Sequence, residues 1–185
     1  MKLLLTADKK WSKKSLTALP HKFFIIQVHN YSVRLVTFKM LEKVVIIGNG
    51  GVGKTALVQR FLNKGFPQRY VPTLGVENVT NGQLDIWDTA GQEKHLGLRE
   101  GYYIGAKKVI IVFDVTDRQS LDNVPYWLSL VKHVCDNVPI LLVANKADVP
   151  DYELKIAEIE VLARNYGLEW VFASAKTGLN LDKLF

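Results

Sequence analysis

The chain has 185 residues, 48% of them hydrophobic and 23% charged, with a net charge of +6, which is typical of a globular protein and excludes a disordered chain. Cys135 is the only cysteine, so the chain can form no internal disulfide, and we expect an intracellular location. No apolar run approaches the roughly 18 residues that a membrane-spanning helix needs.

The positive charge belongs to the N-terminal extension, residues 1–39. Eight of the 24 Lys and Arg residues lie there, against one of the 18 Asp and Glu residues. The charge therefore gives no evidence that residues 40–185 bind nucleic acid. We expect residues 1–39 to be poorly ordered or non-native, and a targeting segment or a nuclear-import or nucleic-acid arm are the alternatives. Met40 opens the predicted domain, residues 40–185.

Strand and helix patterns alternate along this domain. Apolar, β-rich runs predict strands over residues 43–48, 108–114, 139–145 and 169–173. Amphipathic patterns predict helices over residues 54–62, 120–134, 152–166 and from 179 onward. Apolar strands that alternate with amphipathic helices predict an α/β fold, in which helices cover both faces of a mainly parallel sheet. In VENVTNGQLDIWD, residues 76–88, Asn81-Gly82 indicates a hairpin with a type I′ turn, so one edge strand should be antiparallel.

A phosphate loop is predicted by GNGGVGKT, residues 48–55, which lies between a strand and a helix. The spacing G-x-x-x-x-G-K-[ST] lets backbone N–H groups surround a phosphate at a helix N-terminus. Lys54 would reach the β- and γ-phosphates, and the hydroxyl of Thr55 would bind Mg²⁺. The residues predicted to bind phosphate are Gly48, Asn49, Gly50, Gly51, Val52, Gly53, Lys54, Thr55 and Ala56.

The base is predicted from NKAD, residues 145–148, which follows an apolar strand. The carboxylate of Asp148 can accept hydrogen bonds from N1–H and the 2-amino group of guanine, whereas adenine offers neither donor. Lys146 would lay its aliphatic stem along the base, and Asn145 belongs to the same motif. The motif therefore predicts a guanine nucleotide and argues against a phosphate-loop kinase.

The third motif is WDTAGQE, residues 87–93. Asp88 could hold Mg²⁺ through water, and Gly91, which has no Cβ, could bring its backbone N–H against a γ-phosphate. Gln92 could orient an attacking water. Lys54 and Gln92 are accordingly the predicted catalytic residues.

With these three motifs, residues 40–185 resemble a small Ras-superfamily GTPase, most closely the Ran family of nuclear-transport GTPases. The closer resemblance rests on RYVPTLGVE, WDTAGQEKHLGLREGYYIGA, FDVTDRQSLDNVPYW and HVCDNVPILL. It implies the P-loop GTPase fold, with a six-stranded sheet, one antiparallel edge strand and a last helix that the sequence enters only in part, because it stops at Phe185.

The resemblance also implies further site residues. Thr73 would bind Mg²⁺ and the γ-phosphate in the triphosphate state, and Phe66 would pack against the guanine. The SAK motif, Ser174, Ala175 and Lys176, would place backbone N–H groups at the guanine oxygen.

The resemblance bears on catalysis as well. Gly50 would leave space for Gln92 and for an arginine of an activating protein, and Arg69 would lie on the outer switch surface. We therefore expect a Mg²⁺-dependent GTPase that is slow without an activating protein.

Three features depart from the Ran pattern. The connection between Glu77 and Trp87 is short, the segment after NKAD is acidic instead of lysine-rich, and His95 stands in place of an aromatic residue. The acidic segment puts contacts with import receptors and with an exchange factor in doubt.

We expect a monomeric GTP-binding switch in nucleus and cytoplasm, with an exchange factor, an activating protein and effectors such as import or export receptors. No direct contact with nucleic acid and no membrane anchor are expected. The alternatives are a Rab-like GTPase of vesicle traffic and a scaffold that binds GTP or GDP with hardly any turnover.

Overall fold

The computed structural model describes residues 4–6, 23–28, 32–39, 41–67, 69, 71–91, 100–135, 137–150, 152 and 154–185. The chain divides into two compact units, residues 1–41 and 42–185. In the first unit, strands β1 (Leu4–Thr6), β2 (Phe23–Val28) and β3 (Ser32–Lys39) form an antiparallel sheet in the order β1-β3-β2. We expected residues 1–39 to be a poorly ordered or non-native extension, and this stays a prediction.

The second unit is built on a six-stranded sheet. Its strands are β4 (Glu42–Ile47), β5 (Val76–Asn81), β6 (Leu84–Thr89), β7 (Lys108–Asp114), β8 (Ile140–Asn145) and β9 (Glu169–Phe172). The spatial order is β5-β6-β4-β7-β8-β9, and every pair is parallel except β5 with β6. The predicted sheet with one antiparallel edge strand is confirmed.

Five α-helices are described in this unit: α1 (Lys54–Phe61), α2 (Arg118–Asp122), α3 (Val124–Val134), α4 (Ile156–Tyr166) and α5 (Leu181–Leu184). The single helix predicted over residues 120–134 is wrong, because α2 ends at Asp122 and α3 begins directly after Asn123. Pro125 lies in the first turn of α3, where its missing N–H costs little, whereas inside one long helix it would break a hydrogen bond. Helix α4 begins four residues later than the predicted start at residue 152.

The two faces of the sheet bury separate apolar clusters, because successive strand residues point to opposite faces. From β4, Val45 and Ile47 pack with residues of α2, α3 and α4, while Val44 and Ile46 pack with α1 and α5. Helices therefore cover both faces, as predicted. Within the described ranges, no helix is both long enough and apolar enough to span a membrane.

The hairpin between β5 and β6 differs from the predicted turn by one residue. Asn81 pairs with Leu84, so the loop consists of Gly82 and Gln83. Of the two loop residues only Gly82 has a positive φ, 60°, whereas a type I′ turn needs a positive φ at both, so the predicted type I′ turn is wrong. The hairpin is confirmed, and the strands are joined by only two residues.

Parallel pairing brings the ends of three central strands to one edge of the sheet. Strand β4 ends at Ile47, which pairs with Ile111 of β7, and Asp114 at the end of β7 pairs with Asn145 at the end of β8. The loops that follow these strands therefore lie side by side, which is where open α/β sheets bind their ligands.

Candidate functional site

Two glycines of the loop after β4 are required by close packing. Gly48 has φ 138°, and a Cβ on it would overlap the carbonyl oxygen of Val112 in the neighbouring strand. Gly53 has φ 95°, and a Cβ there would overlap the side-chain amide of Asn145. Both φ values lie in the region that side chains rarely adopt. The loop therefore curves tightly between β4 and α1.

Lys54 is the first residue of α1 and is buried despite its charge. Its Nζ donates hydrogen bonds to the carbonyl oxygens of Gly48 and Asn49, both at 2.8 Å. These two hydrogen bonds fix the ammonium group against the start of the loop. A buried ammonium that faces a helix N-terminus is a strong electrostatic partner for phosphate oxygens.

Three oxygen groups meet beside this lysine. The hydroxyl of Thr55 donates to Oδ2 of Asp88 at 2.5 Å and lies 2.8 Å from the hydroxyl of Thr73. Asp88 is 2% exposed, and its Oδ1 has no hydrogen-bond partner in the part of the chain that the structure describes. Burial raises the pKa of Asp88 to about 6. A buried, incompletely satisfied carboxylate beside two hydroxyls suits a hard cation such as Mg²⁺.

These groups border a first cavity of about 330 Å³, which we call the phosphate-side cavity. Its lining includes Gly50, Lys54, Thr55, Thr73 and Gly91. Most predicted phosphate-binding residues therefore meet at one opening. Gly48, Asn49 and Val52, which were predicted with them, do not line this cavity, and their contacts with phosphate stay a prediction. The side chain of Val52 is buried, and its carbonyl oxygen accepts an internal hydrogen bond.

A second cavity, of about 390 Å³, is the base-side cavity. Its lining includes Phe66, Lys146, Asp148, Ala175 and Lys176, all of which were predicted from NKAD or from the resemblance. The two cavities share five lining residues: Gly51, Gly53, Ala56, Pro67 and Arg69. They are therefore neighbouring parts of one groove that runs along the N-terminus of α1.

Asp148 is held in place inside the base-side cavity. Its Oδ1 accepts a hydrogen bond from the hydroxyl of Ser174 at 2.6 Å, and its Oδ2 lies 3.6 Å from Nζ of Lys176. The Ser174 hydrogen bond is the main reason that the pKa of Asp148 lies below its usual value. The carboxylate is therefore ionised at neutral pH and acts only as an acceptor.

Asn145 joins three loops. Its Nδ2 donates to the carbonyl oxygen of Val52 at 2.7 Å, and its Oδ1 accepts from the backbone N–H of Ala175 at 3.4 Å. Asn145 is 1% exposed, so its amide serves the protein itself. It sets the distance between the phosphate-side and base-side cavities.

Lys146 has φ 65°, a left-handed conformation that is uncommon for a residue with a Cβ. Its Nζ forms an ion pair with Asp114 at the end of β7. Asp114 is 5% exposed and also accepts hydrogen bonds from the backbone and hydroxyl of Thr116. The ion pair draws the aliphatic stem of Lys146 along the wall of the base-side cavity.

The third motif reaches the site through Asp88 and Gly91. A Cβ on Gly91 would overlap the backbone of Asn49 and Gly50, so this glycine packs directly against the phosphate loop. Gln92, the predicted water-orienting residue, lies outside the described residues, and its role stays a prediction.

Sequence reasoning missed two residues of the site. Asp114 follows an apolar strand, a position from which its place beside Lys146 could have been inferred. Arg69 is exposed and lines both cavities, a place in the site that was not predicted, and its expected position on the outer switch surface stays a prediction.

The chain matches the sequence model of a known protein family. The sequence model of the Ras family matches residues 43–185, which covers the six-stranded sheet except Glu42, the first residue of β4, and all five α-helices of the second unit.

The packing of Gly91 against the phosphate loop generates a test. We expect Gly91→Ala to lower the free energy of unfolding by about 1–3 kcal/mol, because the methyl group must displace backbone atoms that cannot rotate away. Gly101→Ala is the matched control, since a Cβ on Gly101 meets open space and its φ is not positive. Urea unfolding of both variants measures the difference, and equal stabilities would contradict the close packing at Gly91.

Proposed function

The chain belongs to the Ras family of GTP-binding switches, and we propose that the groove along α1 holds GTP or GDP with Mg²⁺ and hydrolyses GTP slowly. The observation that carries this proposal is the shared lining of the two cavities. An anion site built around Lys54 and a carboxylate acceptor, Asp148, stand at the two ends of one groove. A nucleoside triphosphate has matching chemistry at its two ends.

The base end favours guanine. Asp148 is ionised and fixed by Ser174, so it presents acceptor oxygens in a defined direction. Guanine can donate N1–H and its 2-amino group to it, whereas adenine would leave the carboxylate unsatisfied. Phe66 is 42% exposed in this structure and lines the same cavity, where a bound base would cover it.

The phosphate end supplies positive charge and backbone donors. Lys54 and the N-terminus of α1 face the groove, and the hydroxyls of Thr55 and Thr73 lie beside the carboxylate of Asp88. Mg²⁺ held there would neutralise charge on the β- and γ-phosphates. Thr73 and Gly91 belong to two different segments that both touch the site, so contacts with a γ-phosphate would order both segments, and hydrolysis would release them.

For hydrolysis, we propose that Gln92 orients the attacking water in line with the γ-phosphate. Stabilisation of the transition state also needs positive charge near the phosphate oxygens. An arginine supplied by an activating protein would add to Lys54, because Gly50 leaves the phosphate-side cavity open. Arg69 lines that cavity too, and it is close enough to the groove to contact the phosphates or the ribose of a bound nucleotide.

Within the family, we propose a Ran-like role in transport between nucleus and cytoplasm, with import or export receptors as effectors. It is supported by the segments RYVPTLGVE, FDVTDRQSLDNVPYW and HVCDNVPILL. The alternatives are a Rab-like role in vesicle traffic and a scaffold with hardly any turnover. Pulldown with GTP-loaded protein separates the first two by the receptors or tethering factors captured, and a single-turnover assay identifies the third.

Binding of nucleotide should raise thermal stability. At 100 times its dissociation constant, GDP with Mg²⁺ should stabilise the domain by about 2.7 kcal/mol, a shift in Tm of about 5–10 °C. Differential scanning calorimetry measures this shift, with ADP and Mg²⁺ as the control. An equal shift with ADP would contradict guanine specificity, and no shift with GDP would contradict nucleotide binding.

Asp148→Asn tests the base end of the groove. The amide can accept from only one of the two guanine donors, so we expect GTP affinity to fall about 10- to 100-fold. Affinity for xanthosine triphosphate should rise, because its 2-oxo group can accept from the new amide. Asp182→Asn on the exposed surface of α5 is the control. A variant that keeps its preference for GTP over xanthosine triphosphate would show that Asp148 does not contact the base.

Gln92→Leu tests catalysis separately from binding. We expect the single-turnover rate of GTP hydrolysis to fall by about tenfold or more, because the water loses its orienting group. Affinity for GTP should remain close to that of the wild type, since this side chain contacts water and not the ground-state nucleotide. Quenched-flow hydrolysis and equilibrium titration give the two quantities. Hydrolysis at the wild-type rate would rule out this mechanism.

A further inference from the structure

A hydrogen bond connects helix α3 to the phosphate loop. The indole Nε1–H of Trp127 donates to Oδ1 of Asn49 at 3.0 Å. Trp127 has no exposed surface, and Asn49 is half-buried at the second position of the loop. The two residues are 78 positions apart in the sequence, so only the packing of α3 against the sheet brings them together.

Asn49 makes the loop's other important contacts through its backbone. Its carbonyl oxygen accepts a hydrogen bond from Nζ of Lys54 at 2.8 Å. The same peptide group is the one that a Cβ on Gly91 would overlap. One residue therefore touches the ammonium that faces the phosphates, the segment that follows Asp88, and helix α3.

Asn49 is followed by several glycines, so a contact that fixes Asn49 also helps to fix the conformation of the loop. Gly50, Gly51 and Gly53 have no side chains that could hold the loop by packing, and glycine leaves the backbone free to adopt many conformations. Trp127 is a rigid support by comparison, because Val124, Leu128 and Val131 of the same helix are fully or almost fully buried. The hydrogen bond to the buried indole of Trp127 thus restricts the conformation of the loop, which its glycines leave free.

We propose that Trp127 is a positioning residue for nucleotide retention, which acts by holding Asn49, and with it the carbonyl that fixes Lys54, in the conformation that binds phosphate. The inference rests on the proposed function, since it concerns the rate at which the bound nucleotide leaves. Loss of the hydrogen bond frees the loop and accelerates dissociation of GDP, while the side chains that line the two cavities stay unchanged.

The test is a double-mutant cycle on the dissociation rate of GDP carrying a fluorescent label on the ribose, with the full chain and Mg²⁺. Asn49→Ala removes the acceptor, and Trp127→Phe removes the donor but keeps an aromatic ring. Each should accelerate dissociation about three- to tenfold, the range expected from one hydrogen bond. The double variant should be no faster than the faster single variant, because both changes remove the same interaction.

Asn49→Asp is the rescue variant, because it keeps an oxygen acceptor at the same position. Trp127→Phe should still accelerate dissociation in the Asn49→Asp background and should have no effect in the Asn49→Ala background. Trp170→Phe on β9 is the control for loss of an indole, since Trp170 packs against Phe172 on another part of the sheet. Its dissociation rate should equal that of the wild type.

A spectroscopic measurement separates positioning from general destabilisation. The indole N–H of Trp127, assigned in ¹⁵N spectra by its absence from Trp127→Phe, should shift and exchange faster with solvent in Asn49→Ala than in Asn49→Asp. Additive effects in the cycle, or an unchanged indole signal in Asn49→Ala, would overturn the inference alone. A wild-type protein that retains no GDP would overturn the proposed function and this inference with it.

Discussion

The parallel pairing of β4, β7 and β8 is the constraint on which the site depends. It ends three buried strands at one edge of the sheet, so that the phosphate loop, Asp114 and Asn145 lie next to one another. The functional groups that line the groove come from the short segments that follow these strands. Hydrogen bonds from Asn145 to Val52 and to Ala175 then tie the loops together, so the two cavities keep a fixed separation.

This arrangement buries polar groups in a way that favours a ligand. Lys54 is 5% exposed and donates hydrogen bonds to two loop carbonyls, while Asp88 keeps one carboxylate oxygen without a hydrogen-bond partner within the described part of the chain. Buried polar atoms without full partners lower stability by about 1–3 kcal/mol each. A cation bound together with a charged ligand would satisfy this oxygen of Asp88, and binding and folding are therefore expected to be coupled.

Much of the fold could be predicted from local patterns. The strands of the sheet and helices α1 and α4 follow the apolar periodicity closely, because burial of one face requires that periodicity wherever the element packs. The misses have local causes. Pro125 divides the helix predicted over residues 120–134, and the turn of the β5–β6 hairpin centres on Gly82-Gln83 because cross-strand register, and not the Asn-Gly pair, sets the loop.

By itself, the sequence determined the identity of the groups in the site: the glycines, Lys54, Thr55, Asp88 and Asp148 are recognisable because their chemistry and spacing are local. Tertiary structure alone decided which distant groups support them. The bond from Trp127 to Asn49, the ion pair of Lys146 with Asp114, and the place of Arg69 in both cavities each join segments far apart in the chain. Such contacts depend on how helices and loops pack against the sheet, and no short stretch of sequence carries that information.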